Sequence, residues 1–180
     1  MADLTVDDVM AEWGKGFSDD IFTGSFMPEK QELKNIIKEY NPKWVMNISE
    51  YESDVEKISN HRGVPKEVIN SLIMTESTGD SKAKSKAGAI GLTQIIPGAH
   101  GYSESELYDI YENIDYGTRY LQQLKDKYGD WDIAIAAYNW GPGNMDKHIK
   151  RHGKVRLDKL PAETRRQITA YNFYYGLQIY

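Results

Sequence analysis

Apolar residues recur at helical spacing along almost the whole chain, and two-residue alternation is nearly absent. Val6, Val9, Met10 and Trp13 fall at i, i+3, i+4 and i+7 behind Thr5 as N-cap, with Asp8 at the third helical position. This predicts a short amphipathic helix. Gly14, Gly16, Gly24 and Pro28 then punctuate a long loop. A second stripe, Leu33, Ile36, Ile37 and Tyr40, stops before Pro42, and a third, Trp44, Ile48, Tyr51, Val55 and Ile58, ends at His61-Arg62-Gly63. Pro65 pre-sets the first turn of a further helix with Val68, Ile69, Leu72 and Ile73 on its buried face and Gly79 as terminator. The run Ile133-Ala134-Ile135-Ala136-Ala137 is apolar around its circumference and predicts a central buried helix. The expected architecture is all-α: a domain over 48–180, preceded by an acidic helical extension with a glycine-punctuated linker over 1–47.

Composition narrows the chemistry. The 180 residues contain no cysteine, which excludes disulfide scaffolds, thiol nucleophiles and thiolate metal sites. No apolar run is long enough to span a bilayer or to serve as a signal-peptide core. Residues 1–60 carry 6 basic and 13 acidic side chains, so the acidity belongs to the N-terminal third. The remainder is only mildly basic, far from the footprint of a dedicated nucleic-acid binder. Thirteen Tyr and four Trp suit a groove that binds sugars.

Glu76 is the leading candidate for chemistry. It falls in the last turn of the helix that Pro65 opens, where the negative end of the helix dipole and the preceding Leu72, Ile73 and Met74 both favour the protonated acid. A carboxylic acid kept partly protonated is what glycoside cleavage requires of its general acid. Gly88 and Gly91 flank Ala89-Ile90, where the backbone is expected to turn sharply and approach a ligand. Gln94 offers a donor and an acceptor, for a sugar substituent or for loop backbone. Tyr138 and Asn139 close the apolar helix before Gly141, so that their polar groups emerge from the core; Tyr138 can serve the Glu76 carboxyl, the substrate or the backbone.

Glu76-Ser77, then Ala83 through Pro97 with Gly88-Ala89-Ile90-Gly91-Leu92-Thr93-Gln94, together with Asn113-Ile114, Gly117, Ala136-Ala137-Tyr138-Asn139-Trp140-Gly141-Pro142-Gly143 and Leu160-Pro161-Ala162-Glu163-Thr164, resemble in order and spacing the motifs of the soluble lytic transglycosylase family. That resemblance implies a goose-type lysozyme-like fold and cleavage of the peptidoglycan β-1,4 bond between N-acetylmuramic acid and N-acetylglucosamine, with a 1,6-anhydro product and no cofactor. It implies Glu76 as the catalytic residue and Ser77, Ser85, Gly91, Leu92, Gln94, Tyr138, Asn139 and Tyr171 as substrate-binding residues. Three departures stand out. Thr93 replaces the usual Met and is expected to alter the cleft wall, Gly79 and Ser81 replace Phe and Pro, and Gln167 stands where a Tyr is usual, with Tyr171 one turn later.

Two alternatives accompany this reading: a goose-type muramidase that hydrolyses the same bond, and a structural or delivery protein that uses the fold to bind the wall. A hydrolase needs a second carboxylate; Asp80, Asp109 and Asp115 are nearest in sequence, and each reads as a loop or cap residue. Lys82, Lys84 and Lys86 form a solvated row that could attract peptidoglycan carboxylates. His148 and His152 share a helix face but lack a third ligand, so no metal is expected. The expected partners are a glycan strand and, through residues 1–26, a phage virion or secretion apparatus that delivers the enzyme to the periplasm or cell wall; nucleic acid and stable membrane insertion are not expected.

Overall fold

The helical spacing of the sequence is realised throughout the described part of the protein. A computed structural model describes residue 35, residues 48–98 and residues 101–178; the stripes expected over 5–13 and 33–40, the glycine-punctuated linker and Trp44 lie outside the described residues. Seven α-helices follow: α1 (Glu52–Arg62), α2 (Lys66–Ser77), α3 (Glu104–Leu107), α4 (Ile110–Tyr128), α5 (Trp131–Trp140), α6 (Pro142–His152) and α7 (Ala162–Gln178), with a 3-10 turn at Leu157–Lys159. Among the described residues there is no strand. Two single antiparallel bridges, Lys84 to Ile90 and Ile90 to Ile95, shape the loop after α2.

Chain packing divides the described residues into two compact units, one of 48–98 and 101–123, the other of residue 35 and 124–178. In the first, Ile48, Tyr51, Val55 and Ile58 are buried as the third stripe requires, and Gly63 ends α1 in the left-handed conformation. Pro65 sits just outside α2 as its N-cap, and its carbonyl accepts from Val68 N and Ile69 N. Burial in α2 exceeds the predicted face, since Asn70 and Ser71 are also covered. Asp115, expected as a loop or cap residue, is instead buried in the middle of α4. Its oxygens accept from Arg62 Nε at 2.6 Å and from Arg62 Nη2, and Gln122 Nε2 donates to the Arg62 carbonyl at 3.0 Å. A 53-residue separation in sequence hid that pair.

In the second unit Asp130 caps α5, accepting from Ile133 N at 3.1 Å, and Ala134, Ile135, Ala136 and Ala137 are fully buried. Ile133 is half-buried. Gly141 belongs to two helices at once: its N–H closes α5 on the Ala137 carbonyl, and its own carbonyl accepts from Asn144 N and Met145 N to open α6. Its backbone lies at φ 88°, ψ 137°, a region open in practice to glycine alone. α7 runs antiparallel to α5, because Asp132 pairs with Asn172 while Asn139 pairs with Thr164.

Candidate active site

Seven consecutive residues of α2, Val68 to Met74, are buried, and Thr75 to Thr78 are half-buried. Glu76 therefore stands where the helix leaves the core. No basic residue shares the last turn with it. Ser77 turns its hydroxyl back onto the Ile73 carbonyl at 3.1 Å. The helix ends one residue earlier than expected: Thr78, not Gly79, is the first left-handed residue, at φ 54°, and its N–H closes on the Met74 carbonyl. For a β-branched residue that conformation costs about 1–3 kcal/mol. Tyr51 secures the turn by donating to the Gly79 carbonyl at 3.2 Å.

The loop that follows is held by its own polar groups. Ser85 Oγ accepts from Ala89 N at 3.0 Å, Gly91 N donates to Ala83 O, and Gln94 Nε2 donates to Gly91 O at 2.9 Å and Ala83 O at 3.3 Å. The amide nitrogen of Gln94 thus serves loop backbone, one of its two anticipated roles. Gln94 itself is left-handed at φ 52°. Leu92 is buried at 1 % exposure.

The close approach at Gly91 is internal. A Cβ there would stand 2.3 Å from Asn113 Nδ2, so the glycine makes room for a side chain of α4. Asn113 is the centre of the arrangement. Its Nδ2 donates to Ile90 O at 3.0 Å and Leu107 O at 2.8 Å, and its Oδ1 accepts from Thr93 N at 2.9 Å. The Thr93 hydroxyl, fully buried, reaches Asn113 Oδ1 at 2.8 Å and Asn113 O at 2.9 Å. The Thr93 departure therefore alters the packing behind the loop, not a cleft wall. Gly117 is required beside it, because a Cβ there would lie 2.4 Å from Thr93 Cβ.

Other first-unit candidates are occupied. Asp80 Oδ1 accepts from Lys82 N at 2.9 Å, and Asp109 Oδ1 accepts from Glu112 N at 3.0 Å at the start of α4. Lys84 pairs with Glu104 at 2.7 Å; Lys82 and Lys86 are exposed.

In the second unit, Tyr138 is half-buried and Asn139 exposed in the last turn of α5. Asn139 Oδ1 accepts from the buried Thr164 hydroxyl at 3.1 Å. Tyr171 is 2 % exposed, and its hydroxyl has no hydrogen-bond partner among the described residues. Burial raises its pKa well above the ordinary tyrosine value, with the nearby Asp132 adding to the shift. Gln167 is half-buried. His148 Nε2 accepts from Arg156 N at 3.0 Å, which engages that nitrogen in a backbone contact. Among the described residues no three His, Asp or Glu side chains are grouped to hold a metal.

Sequence reasoning missed Asn113 as a hub, Asp132 as a buried acid, and the Asn172 and Thr164 contacts to α5. The available signal was polar residues at core-facing helical positions, which Asn113, Asp132 and Asn172 all are.

Residues 53–161 match the family model described as Transglycosylase SLT domain. The soluble lytic murein transglycosylase of Escherichia coli K12 is 31% identical over 146 residues, covering 69% of this chain and 23% of that protein. The transglycosylase of Enterobacteria phage PRD1 is 33% identical over 96 residues, covering 46% of this chain and 36% of the phage protein. The crystal structure of the 70 kDa soluble lytic transglycosylase from Escherichia coli aligns with a TM-score of 0.61 at 29% identity, over 72% of this chain and 24% of that one. The same 70 kDa enzyme in complex with bulgecin A aligns equally well, at 0.61 and 28% identity, over 72% of this chain and 24% of that one. This chain thus spans about a quarter of the Escherichia coli relative and about a third of the phage relative.

Proposed function

Because this chain belongs to the transglycosylase SLT domain family and has its all-helical, lysozyme-like fold, we propose that it is a peptidoglycan lytic transglycosylase in which Glu76 is the single catalytic acid and base. The observation that carries the reading is the placement of Glu76 at the point where buried α2 emerges, followed at once by a strained left-handed turn. The Glu76 carboxyl donates its proton to the oxygen of the β-1,4 bond as the bond from muramoyl C1 breaks and the electron pair leaves on that oxygen. The carboxylate then takes the proton of the muramoyl C6 hydroxyl, whose oxygen closes the 1,6-anhydro ring on C1. No water is consumed, because the nucleophile is already part of the substrate. The three aspartates that sequence offered as a second carboxylate are each engaged by backbone or by Arg62, which supports this one-carboxylate scheme over hydrolysis.

Ser85 and Gln94 from the loop, and Tyr138 and Asn139 from the end of α5, are the proposed glycan contacts. Ser77, Gly91, Leu92 and Tyr171 act by shaping the segments that carry them. Among the described residues no helix is long and apolar enough to cross a membrane. Delivery by a virion or secretion apparatus, with residues 1–26 as the docking segment, is part of the same proposal; the phage origin of one relative supports the virion route. Removing residues 1–26 should leave cleavage of isolated peptidoglycan intact while abolishing association with the delivering particle; lost cleavage with a large drop in melting temperature would place the segment in the enzyme's core.

Mass spectrometry of digested peptidoglycan tests the activity. Muropeptides ending in 1,6-anhydromuramic acid are expected, and Glu76→Gln should lower the rate about a hundredfold to ten-thousandfold with folding unchanged. Reducing ends throughout would make the protein a muramidase. Retained wall binding without cleavage would make it a wall-binding protein.

A further inference from the structure

α5 is fastened to α7 at two places. Near the start of α5, Asp132 Oδ1 accepts from Asn172 Nδ2 at 2.8 Å in a buried contact; in its last turn, Asn139 Oδ1 accepts from Thr164 Oγ1 at 3.1 Å. The stretch from 132 to 139 and the stretch from 164 to 172 cover about 10 Å and about 12 Å of helix, so the two fastenings share one register.

They differ chemically. The Thr164 to Asn139 bond contains nothing that titrates near neutral pH. At the other end a carboxyl group is 8 % exposed, and its hydrogen-bond partner among the described residues is an uncharged amide. Burial pushes Asp132 up to about 7; the Asn172 bond works against that shift and the like charge of Asp130 adds to it. From α7 the groups turned toward this region are Asn172 and Tyr171, whose unpartnered hydroxyl is electrostatically coupled to Asp132, with Tyr175 stacked on Tyr171 at 6.3 Å. From α6 the buried ionisable group is His148, which lies edge-on to Trp140 at the opposite end of α5. Lys125 stands over the Trp131 ring and donates to Gly129 O. Among the described residues none of these supplies Asp132 with an ion pair.

We propose that Asp132 is a proton-dependent positioning residue: its protonated carboxyl keeps α5 seated on α7, and its ionisation loosens that seat and with it the placement of Tyr138 and Asn139 at the far end of α5. The folded chain holds a proton at Asp132 that the unfolded chain releases at ordinary aspartate pKa. The stabilisation is therefore complete below about pH 4 and is lost as pH rises to about 7. The seat itself stands on the buried contact of Asp132 with Asn172 and its pH window on the burial of that carboxyl, whereas its effect on catalysis rests on the lytic reading above.

Unfolding of the whole chain by denaturant between pH 4 and 9, compared with Asp132→Asn, tests the seat. The variant keeps the shape and the acceptor for Asn172 but cannot titrate; His148 and the other ionisable groups not coupled to Asp132 are common to both proteins and cancel in the ratio. The folding constant of the parent, divided by that of the variant, should fall about tenfold per pH unit between about 4.5 and 6.5 and level off above about 7.5. A constant ratio overturns the proposal. If Asp132→Asn does not fold, carbon-detected NMR titration of the parent replaces it: a carboxyl midpoint near 7 supports the seat, and a midpoint in the ordinary aspartate range overturns it. On soluble glycan chains, kcat and kcat/KM of the parent should both fall between pH 6 and 8 relative to the variant, because the loosened Tyr138 and Asn139 are glycan contacts. Matching kcat profiles would overturn the positioning role. Absence of cleavage by both proteins at every pH would remove the lytic reading and leave the unfolding ratio to decide the seat.

Discussion

Each unit buries an aspartate in a helix, and the two are handled in opposite ways. In the first unit Asp115 faces the fork of Arg62, which donates from Nε and Nη2 to the two carboxylate oxygens. The Asp115 hydrogen bonds raise the Arg62 pKa above its ordinary value. In the second unit the hydrogen-bond partner of Asp132 among the described residues is the Asn172 amide, and burial drives it toward the neutral acid. The two buried carboxyl groups thus differ in partner, a guanidinium in one unit and a neutral amide in the other; the first makes an ion pair, and the second a tie that depends on pH.

That contrast is broken most severely at Arg62. Arg62→Met strands the Asp115 charge and should cost about 3 kcal/mol in denaturant unfolding, the low end for a buried pair because the guanidinium is partly accessible. Combining it with Asp115→Leu should recover most of the loss; if the double variant is as unstable as the single, the pair is held by packing and not by charge. At the second aspartate, Asn172→Ala removes a neutral donor and should cost about 1–2 kcal/mol, more at pH 8 than at pH 5, because the ionised carboxyl needs the donor more. An equal cost at both values would remove the distinction between the two sites.

Thr164→Val sharpens the comparison from the non-titrating fastening of α5. About 1 kcal/mol should be lost at pH 5, and less at pH 8, where ionised Asp132 has already loosened Asn139, in the same unfolding assay. A loss equal at both values would show that ionisation of Asp132 does not reach the far end of α5. The smallest change is expected at His148, which burial and then His152 hold below the ordinary histidine value. Its contribution is present above pH 6.5 and is lost as pH falls through its depressed folded value, opposite in sign to Asp132. His148→Gln, with an amide able to accept from Arg156 N, should flatten the acid limb of the stability curve; an unchanged limb would show that His148 does not contribute to it.

What was readable from sequence was whatever is local. The helical period located α1, α2 and α5, and helix-end chemistry put Glu76 in a last turn before the fold was seen. The pairs that fix these helices join residues far apart in the chain, Arg62 to Asp115, Thr93 to Asn113 and Asp132 to Asn172. No periodic pattern marks such a pair, because each member by itself reads as a polar interruption of an apolar stripe. Thr78 shows the same limit on a smaller scale. Propensity favoured Gly79 as the left-handed residue, and the closure of α2 on Met74 O, with Tyr51 held to Gly79 O, selected its β-branched neighbour. At Gly91 the need for a glycine was legible, whereas the reason for it, the Asn113 amide, was not.

The double duty of Gly141 has a consequence for genetics. Every missense change of its codon adds a Cβ, and the nearest atom to that Cβ would be Asn144 Nδ2 at 4.0 Å, so there is space for it. The obstacle is the backbone angle, which would have to be surrendered by the end of α5 and the beginning of α6 together. In a saturation screen scored by the proposed cleavage of peptidoglycan, position 141 would thus show a column of losses like the one expected at Glu76, the proposed catalyst. A screen scored by the amount of folded protein would separate them, with Glu76 substitutions retained and Gly141 substitutions depleted.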